Sequence, residues 1–180
     1  WGVDSVVMVH LFHQAKLNFE ILHCNFCLRG KESDDDERFV DDLGKKYGAK
    51  VTVQRFDTKA FKDQAKISIQ MAARDLRYKW FEEYRNQNNA DFVAIAHHKD
   101  DAIETFFVNL LRGTGLKGLI GYRQKNGSII RPLLFAHKQE LINYAGSENL
   151  EFREDKSNQE DIYTRNYIRN NIVPMFQKLN

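Results

Sequence analysis

Short apolar, β-branched runs alternate with longer amphipathic segments along this chain, and that alternation restricts its fold more than any other feature. FEILHCNF reads as a buried strand, and SDDDERFVDDLGKKYG as a helix with an acidic first turn and a glycine at its end. KVTVQRF is β-branched and alternating, which predicts a second strand. From about Ser68 to Asn88 the spacing predicts a helix with Met71, Leu76, Trp80 and Phe81 as its apolar stripe. DFVAIAHH reads as a third strand ending in polar residues, followed by a helix from Asp100 to Arg112, a glycine-punctuated loop and a short strand at SIIRPLL. Helices starting near Lys138 and Tyr163 close the chain. Strand and helix in regular alternation imply an α/β fold, a parallel sheet with helices on both faces. Ligands meet such sheets beyond the carboxyl ends of the strands, which is where the polar clusters HCNFCLRG and HHKDDAIET stand.

A length of 180 residues suits a single domain spanning 1–180, and no apolar run is long enough for a bilayer-crossing helix, so the expected setting is cytoplasmic with no membrane partner. Cys24 and Cys27 are the two cysteines; one CxxC pair supplies neither a disulfide framework nor the second pair that a structural zinc site needs. Charge is more telling in its distribution than in its sum. Between Glu104 and Glu140 there is no acidic residue, while Arg112, Lys117, Arg123, Lys125, Arg131 and Lys138 all fall there, a window able to attract a polyanion or simply to be solvated.

Several constellations carry chemistry. In the opening WGVDSVVMVHLF, Gly2, Val3, Asp4 and Ser5 stand at the start of an apolar helix with inner face Val6, Val9 and Leu11. Small residues there let an anion reach the unpaired N–H groups, although Asp4 and Ser5 also suit plain capping. No strand precedes this helix, so a first strand is expected upstream. In AHHKDDAIET, Asp101 and Glu104 share a helical face, as Mg²⁺ binding, grip on a substrate amine or a capping box would each require. His97 and His98 are neighbours on an extended segment and point opposite ways, so they cannot share an ion. Arg74 and Arg77 can clamp phosphate or carboxylate from one helix face. Gly113, Gly115, Gly118 and Gly121 suit an anion-binding or mobile loop beside Arg112 and Lys117. Asp155, Ser157, Asn158, Arg165, Asn166 and Arg169 cluster in REDKSNQEDIYTRNYIRNNIVP.

The ordered set GVDS, HCNFCLRGKES, AARDLRY, AHHKDDAIETFFVNLLRGTGLKGL, RPLL and DKSNQEDIYTRNYIR resembles the catalytic domain of the bacterial tRNA(Ile)-lysidine synthase family, of the PP-loop ATP pyrophosphatases, over nearly the whole chain. The family's S-G-G-x-D-S loop survives as Gly2, Val3, Asp4 and Ser5, with Trp1 where a glycine is expected. The resemblance implies a Rossmann-like PP-loop fold of the adenine nucleotide α-hydrolase type, ATP and Mg²⁺ as cofactors, and further C-terminal tRNA-binding domains outside this chain. Its reaction joins free L-lysine to C2 of the wobble cytidine in the CAU anticodon of isoleucine tRNA, through an adenylated cytidine, with ATP cleaved to AMP and pyrophosphate. On that pattern Asp4, Asp101, Glu104 and Arg74 are the expected catalytic residues, and Gly2, Val3, Asp4, Ser5, His97 and Arg77 the nucleotide-binding ones. Asp4 and Asp101 would hold metal. Arg112, Lys117, Arg131, Arg165 and Arg169 would meet the tRNA backbone, and a homodimer is an open assembly. A PP-loop tRNA thiolation enzyme and a non-catalytic nucleotide-binding module are the alternatives.

Overall fold

The computed structural model describes residues 1–153 and 164–178. The chain forms two compact units, one of Trp1 with His10–Val93 and one of Gly2–Val9 with Ala94–Asn180. Helix α1 (Val3–Gln14) is divided between them after Val9.

In the first unit, β1 (Ile21–Asn25) pairs in parallel with β2 (Val51–Arg55), Ile21 opposite Val51 and Asn25 opposite Arg55. Alternation sends Ile21, His23 and Asn25 to one face, where all three are buried. Helix α2 (Lys31–Tyr47) covers that face: the Asn25 amide donates to Glu37 at 2.9 Å and Arg55 reaches Asp34 at 3.0 Å. Val40 and Leu43 are its buried stripe. Gly44 permits the close approach, since a Cβ there would stand 2.2 Å from Cγ2 of Val51. Gly48 ends the helix at φ 63°. On the opposite face lies α4 (Ile69–Gln87), whose Tyr84 hydroxyl hydrogen-bonds with Thr52 at 3.0 Å and whose Arg77 meets Cys24. The parallel pair is therefore sandwiched by helices, the arrangement that the alternation predicts. Two details differ. Helix α3 (Thr58–Ala65), started by the Asp57 carboxylate accepting from the Ala60 N–H, is an element the sequence pattern did not suggest. In α4, Met71 is 54% exposed and Ala72 is fully buried, so the stripe begins one residue later than expected.

In the second unit, Val3, Val6, Val7 and Val9 of α1 are buried. The expected strand DFVAIAHH contributes only β3 (Val93–Ala94) to a sheet ordered β3-β5-β4. SIIRPLL is likewise shortened, to β5 (Ile129–Ile130), which turns back antiparallel on β4 (Lys125–Asn126) through Gly127 at φ 59°. Pro132 has no N–H for a ladder, and the Arg131 N–H is spent on the Gln124 carbonyl at 2.7 Å. Helix α5 (Lys99–Leu111) follows β3. The glycine loop winds into one short helix, α6 (Leu116–Leu119), with Gly113 and Gly121 at φ 67° and 66°. Helix α7 (Lys138–Ser147) buries Leu141 and Ala145. Helix α8 (Thr164–Tyr167) runs on through a π-helical turn, Ile168–Ile172, into α9 (Val173–Gln177). Among the described residues, no helix is long and apolar enough to cross a membrane.

Candidate active site

The second unit gathers its chemistry around the first turns of α1, α5 and α7. At α5 the N-cap is His98, whose Nδ1 accepts from the Asp101 N–H at 3.4 Å while the Asp101 carboxylate accepts from the His98 N–H at 3.0 Å. An imidazole nitrogen thus does the work expected of an acid, and the capping box falls one turn earlier than the Asp101/Glu104 spacing offered. His98 is buried, and its Nε2 lies 3.5 Å from Asp101 Oδ2 and 3.9 Å from Asp4 Oδ2. With Asp100 Oδ2 3.8 Å from Nδ1, three carboxylates, two from α5 and one from α1, surround one imidazole.

Asp4 occupies the first turn of α1, where unpaired N–H groups and the helix dipole favour negative charge. The Lys138 ammonium donates to both its oxygens, at 2.8 Å each. Lys138 is itself anchored: its N–H donates to Asp100 at 2.6 Å, and the His137 ring lies 2.8 Å from the other Asp100 oxygen. Burial alone would raise the Asp100 pKa, but the Lys138 N–H and His137 together hold it below the usual aspartate value. Of the rest of the loop, Gly2 is exposed, with nothing within 4 Å of a Cβ built there; Ser5 is half-buried and Val3 is buried in the core. Trp1 belongs to the first unit, where its indole N–H donates to His23 Nδ1 at 2.9 Å.

One turn along α5, Glu104 is 1% exposed and receives Arg169 through two bonds, 2.5 and 3.0 Å, with Arg165 Nε at 3.2 Å. Arg165 also donates to Thr105. Burial works against the Arg165 charge, yet Tyr122 and Glu104 hold its pKa above the ordinary arginine value; for Arg169 the Glu104 hydrogen bond does the same. Arg165 and Arg169, expected to meet a tRNA backbone, each turn part of the guanidinium to this buried carboxylate while their side chains stay 39% and 36% exposed. Glu104, in turn, has no open face for a metal.

Arg131, also expected at that backbone, is set more deeply. It is 6% exposed, donates from Nε to His97 Nδ1 at 3.1 Å and from a terminal nitrogen to the Arg123 carbonyl at 3.0 Å. The Tyr122 ring contacts both groups, its centroid lying 4.7 Å from the Arg131 guanidinium carbon and 4.3 Å from the stacked His97 ring. Arg131 is a pillar under His97 rather than a surface cation. Arg112, Arg123 and Lys125 are the exposed members of the basic window; the Lys117 side chain lies outside the described residues, as do Asp155, Ser157 and Asn158. Arg74 and Arg77 belong to the first unit, Arg74 over the Tyr78 ring at 4.7 Å and Arg77 over Phe26 at 5.3 Å.

Among the described residues, no group of three or more His, Cys, Asp and Glu side chains is placed to hold a metal ion. Asp4 and Asp101 still fit Mg²⁺, which commonly takes one or two carboxylates together with substrate phosphates and water. Lys138, His137 and Asp100 complete this cluster; the sequence reading placed Lys138 in the basic window and gave no role to His137 or Asp100. One local signal was present for Lys138: a cation in the first position of a helix opposes the dipole.

Residues 1–176 match the family described as a PP-loop domain. The chain is 47% identical over 179 residues to a tRNA(Ile)-lysidine synthase of Bacteroides thetaiotaomicron, covering 99% of this chain and 42% of that protein. Enzymes of the same name from Parabacteroides distasonis and Chlorobaculum tepidum are 40% and 39% identical, over 99% and 98% of this chain and 41% and 55% of theirs. The chain thus spans about half the length, or less, of these curated relatives. The solved structure of the U34-tRNA thiolase NcsA from Methanococcus maripaludis, with its 4Fe-4S cluster, superposes with a TM-score of 0.73 at 18% identity, covering 99% of this chain and 69% of that one. That likeness is one of fold.

Proposed function

This chain belongs to the PP-loop domain family, and on that premise we propose that it is the catalytic part of a tRNA(Ile)-lysidine synthase. The observation that carries this is the meeting of Asp4 and Asp101 around His98 at the head of α1, in a chain 47% identical to such an enzyme. In the proposed reaction the 2-oxygen of the wobble cytidine attacks the α-phosphorus of ATP and pyrophosphate leaves. The amine of free L-lysine then displaces AMP from C2. Both steps place charge on phosphate oxygens, so positioned cations and N–H donors supply most of the catalysis.

Gly2, Val3, Asp4 and Ser5 would cradle the phosphates, with Asp4 and Asp101 holding Mg²⁺; when bound, the ion neutralises charge on the leaving pyrophosphate. Asp101 would also face the lysine amine, since Glu104 is engaged by two arginines. Glu104 instead fixes Arg165 and Arg169, whose remaining N–H groups would stabilise the adenylate. His97, steadied by Arg131, would wall the nucleotide pocket. Arg112, with Lys117 from the same window, would position the tRNA without reading its bases. The reading places the enzyme in the cytoplasm; a homodimer is compatible with it. Thiolation is the weaker reading: burial pushes the Cys24 thiol up to about 12 against the opposing pull of Arg77, so it is not the thiolate that sulfur transfer needs.

The test is ATP-dependent incorporation of labelled lysine into an isoleucine tRNA transcript with a CAU anticodon, using the full-length protein and its Asp101→Ala variant. Incorporation by the wild type that is lost in the variant is expected. Absence of incorporation by the wild type would overturn the reading.

A further inference from the structure

The Asp4–Lys138 pair has features that a merely structural ion pair does not need. Lys138 holds the first position of α7, where the helix dipole opposes a positive charge, and its ammonium is delivered to the first turn of α1, where a second dipole opposes it again. Its main chain is fixed by Asp100, which accepts both from the Lys138 N–H at 2.6 Å and from the neighbouring His137 ring. The side chain remains open to solvent, with 40% of its surface exposed against 22% for Asp4. A flexible cation on a rigid base, held by one carboxylate between two positive helix ends, is arranged to receive a more highly charged anion than a carboxylate.

We propose that Lys138 binds the pyrophosphate end of the nucleotide, moving from Asp4 to phosphate oxygens as the anion arrives and releasing Asp4 for the metal. This assignment rests on the reading of the second unit as a nucleotide site. Lysine suits the role because an ammonium on a four-carbon stem can change partners without the fixed fork of a guanidinium. The same contact neutralises Asp4, so no unpaired carboxylate stands at the head of α1 beside buried His98.

The experiment measures dissociation constants of inorganic pyrophosphate and of adenosine, with Mg²⁺ present, for the full-length protein and its Lys138→Met and Lys138→Arg variants. Loss of a charge-assisted hydrogen bond predicts that Lys138→Met weakens pyrophosphate about 10- to 100-fold and leaves adenosine within about twofold. Lys138→Arg, which keeps the charge, should recover most of that loss. Equal pyrophosphate affinity in wild type and Lys138→Met, or a parallel loss for adenosine and pyrophosphate, overturns the proposal, as does a wild type that does not bind pyrophosphate. Labelled-lysine incorporation is run alongside: selective loss of pyrophosphate binding with no incorporation by the wild type would uphold the Lys138 assignment and overturn the lysidine reading alone.

Discussion

Asp4 and Glu104 are both carboxylates held by cations in the same unit, and they are held in opposite ways. Asp4 is partly exposed and has one flexible lysine; Glu104 is 1% exposed and has two guanidiniums. An exposed ion pair gains little and opens at little cost, whereas removing one partner of a buried pair strands a charge away from water. The comparison separates a contact built to be exchanged from one built to stay. Both are acids near an expected phosphate site, yet only the first can serve a ligand that comes and goes.

The largest effect should come from the fixed pair. The double variant Arg165→Ala/Arg169→Ala is expected to lower the stability of the full-length protein by about 3–5 kcal/mol in urea unfolding, because Glu104 is left charged and unpaired away from water. Asp4→Asn should change it by under about 1 kcal/mol while abolishing ATP-dependent lysine incorporation. Equal losses in the two variants would erase the distinction. Next in size is Arg131→Met, expected to cost about 1–3 kcal/mol through the broken stack and the bonds to His97 and the Arg123 carbonyl, and to leave the salt dependence of tRNA binding unchanged. Arg112→Ala should do the reverse, lowering the slope of log affinity against log salt by about one with no loss of stability. A shifted salt slope for Arg131→Met would return that residue to the surface role.

The smallest effects lie in the pH dependence. Burial lowers the His23 pKa, so its native state favours the neutral ring; the stability it contributes is present above about pH 6.5 and is lost as pH falls through the lower folded value. The depressed Asp100 pKa acts in the same direction at lower pH, its contribution being complete above about pH 4 and lost on further acidification. Unfolding midpoints from pH 8 to 3 should therefore fall first through the His23 window and then through that of Asp100. His23→Gln should flatten the first decline and Asp100→Asn the second. A profile in which Asp100→Asn alters the mildly acidic range would contradict the assignment.

Local periodicity made much of the fold legible: β1 buries Ile21, His23 and Asn25 by strict alternation, and α2 buries Val40 and Leu43 on the stripe that its own spacing announces. It failed where length was set elsewhere. DFVAIAHH has the composition of a full strand, but its later residues are drawn into the His97 stack and the His98 cap, leaving Val93–Ala94 in the ladder. Helix α3, opened by an Asp57 cap, is only eight residues long, too short for its amphipathic spacing to stand out. In the site, Arg165 and Arg169 stand four apart in one clustered stretch, but their shared partner Glu104 lies 65 residues before Arg169 in sequence. Lys138 and Asp4 are 134 positions apart, beyond any local pattern. Local rules see which groups share a face; they do not see what the face meets.

The π-helical turn at Ile168–Ile172 gives chain length a chemical meaning. The Val173 N–H bonds to the Ile168 carbonyl five residues back, so the helix carries one residue more than a regular α-helix over the same path. Deleting Asn170 or Asn171 would close the turn into a regular α-helix while the residues on either side kept their faces. Phe176, whose ring lies 5.2 Å from that of Phe107 on α5, would keep that contact while the arginines kept their grip on Glu104. A single-residue gap between homologues is therefore absorbed at this turn, whereas the same gap in the regular part of α5 would turn everything beyond it by about 100°.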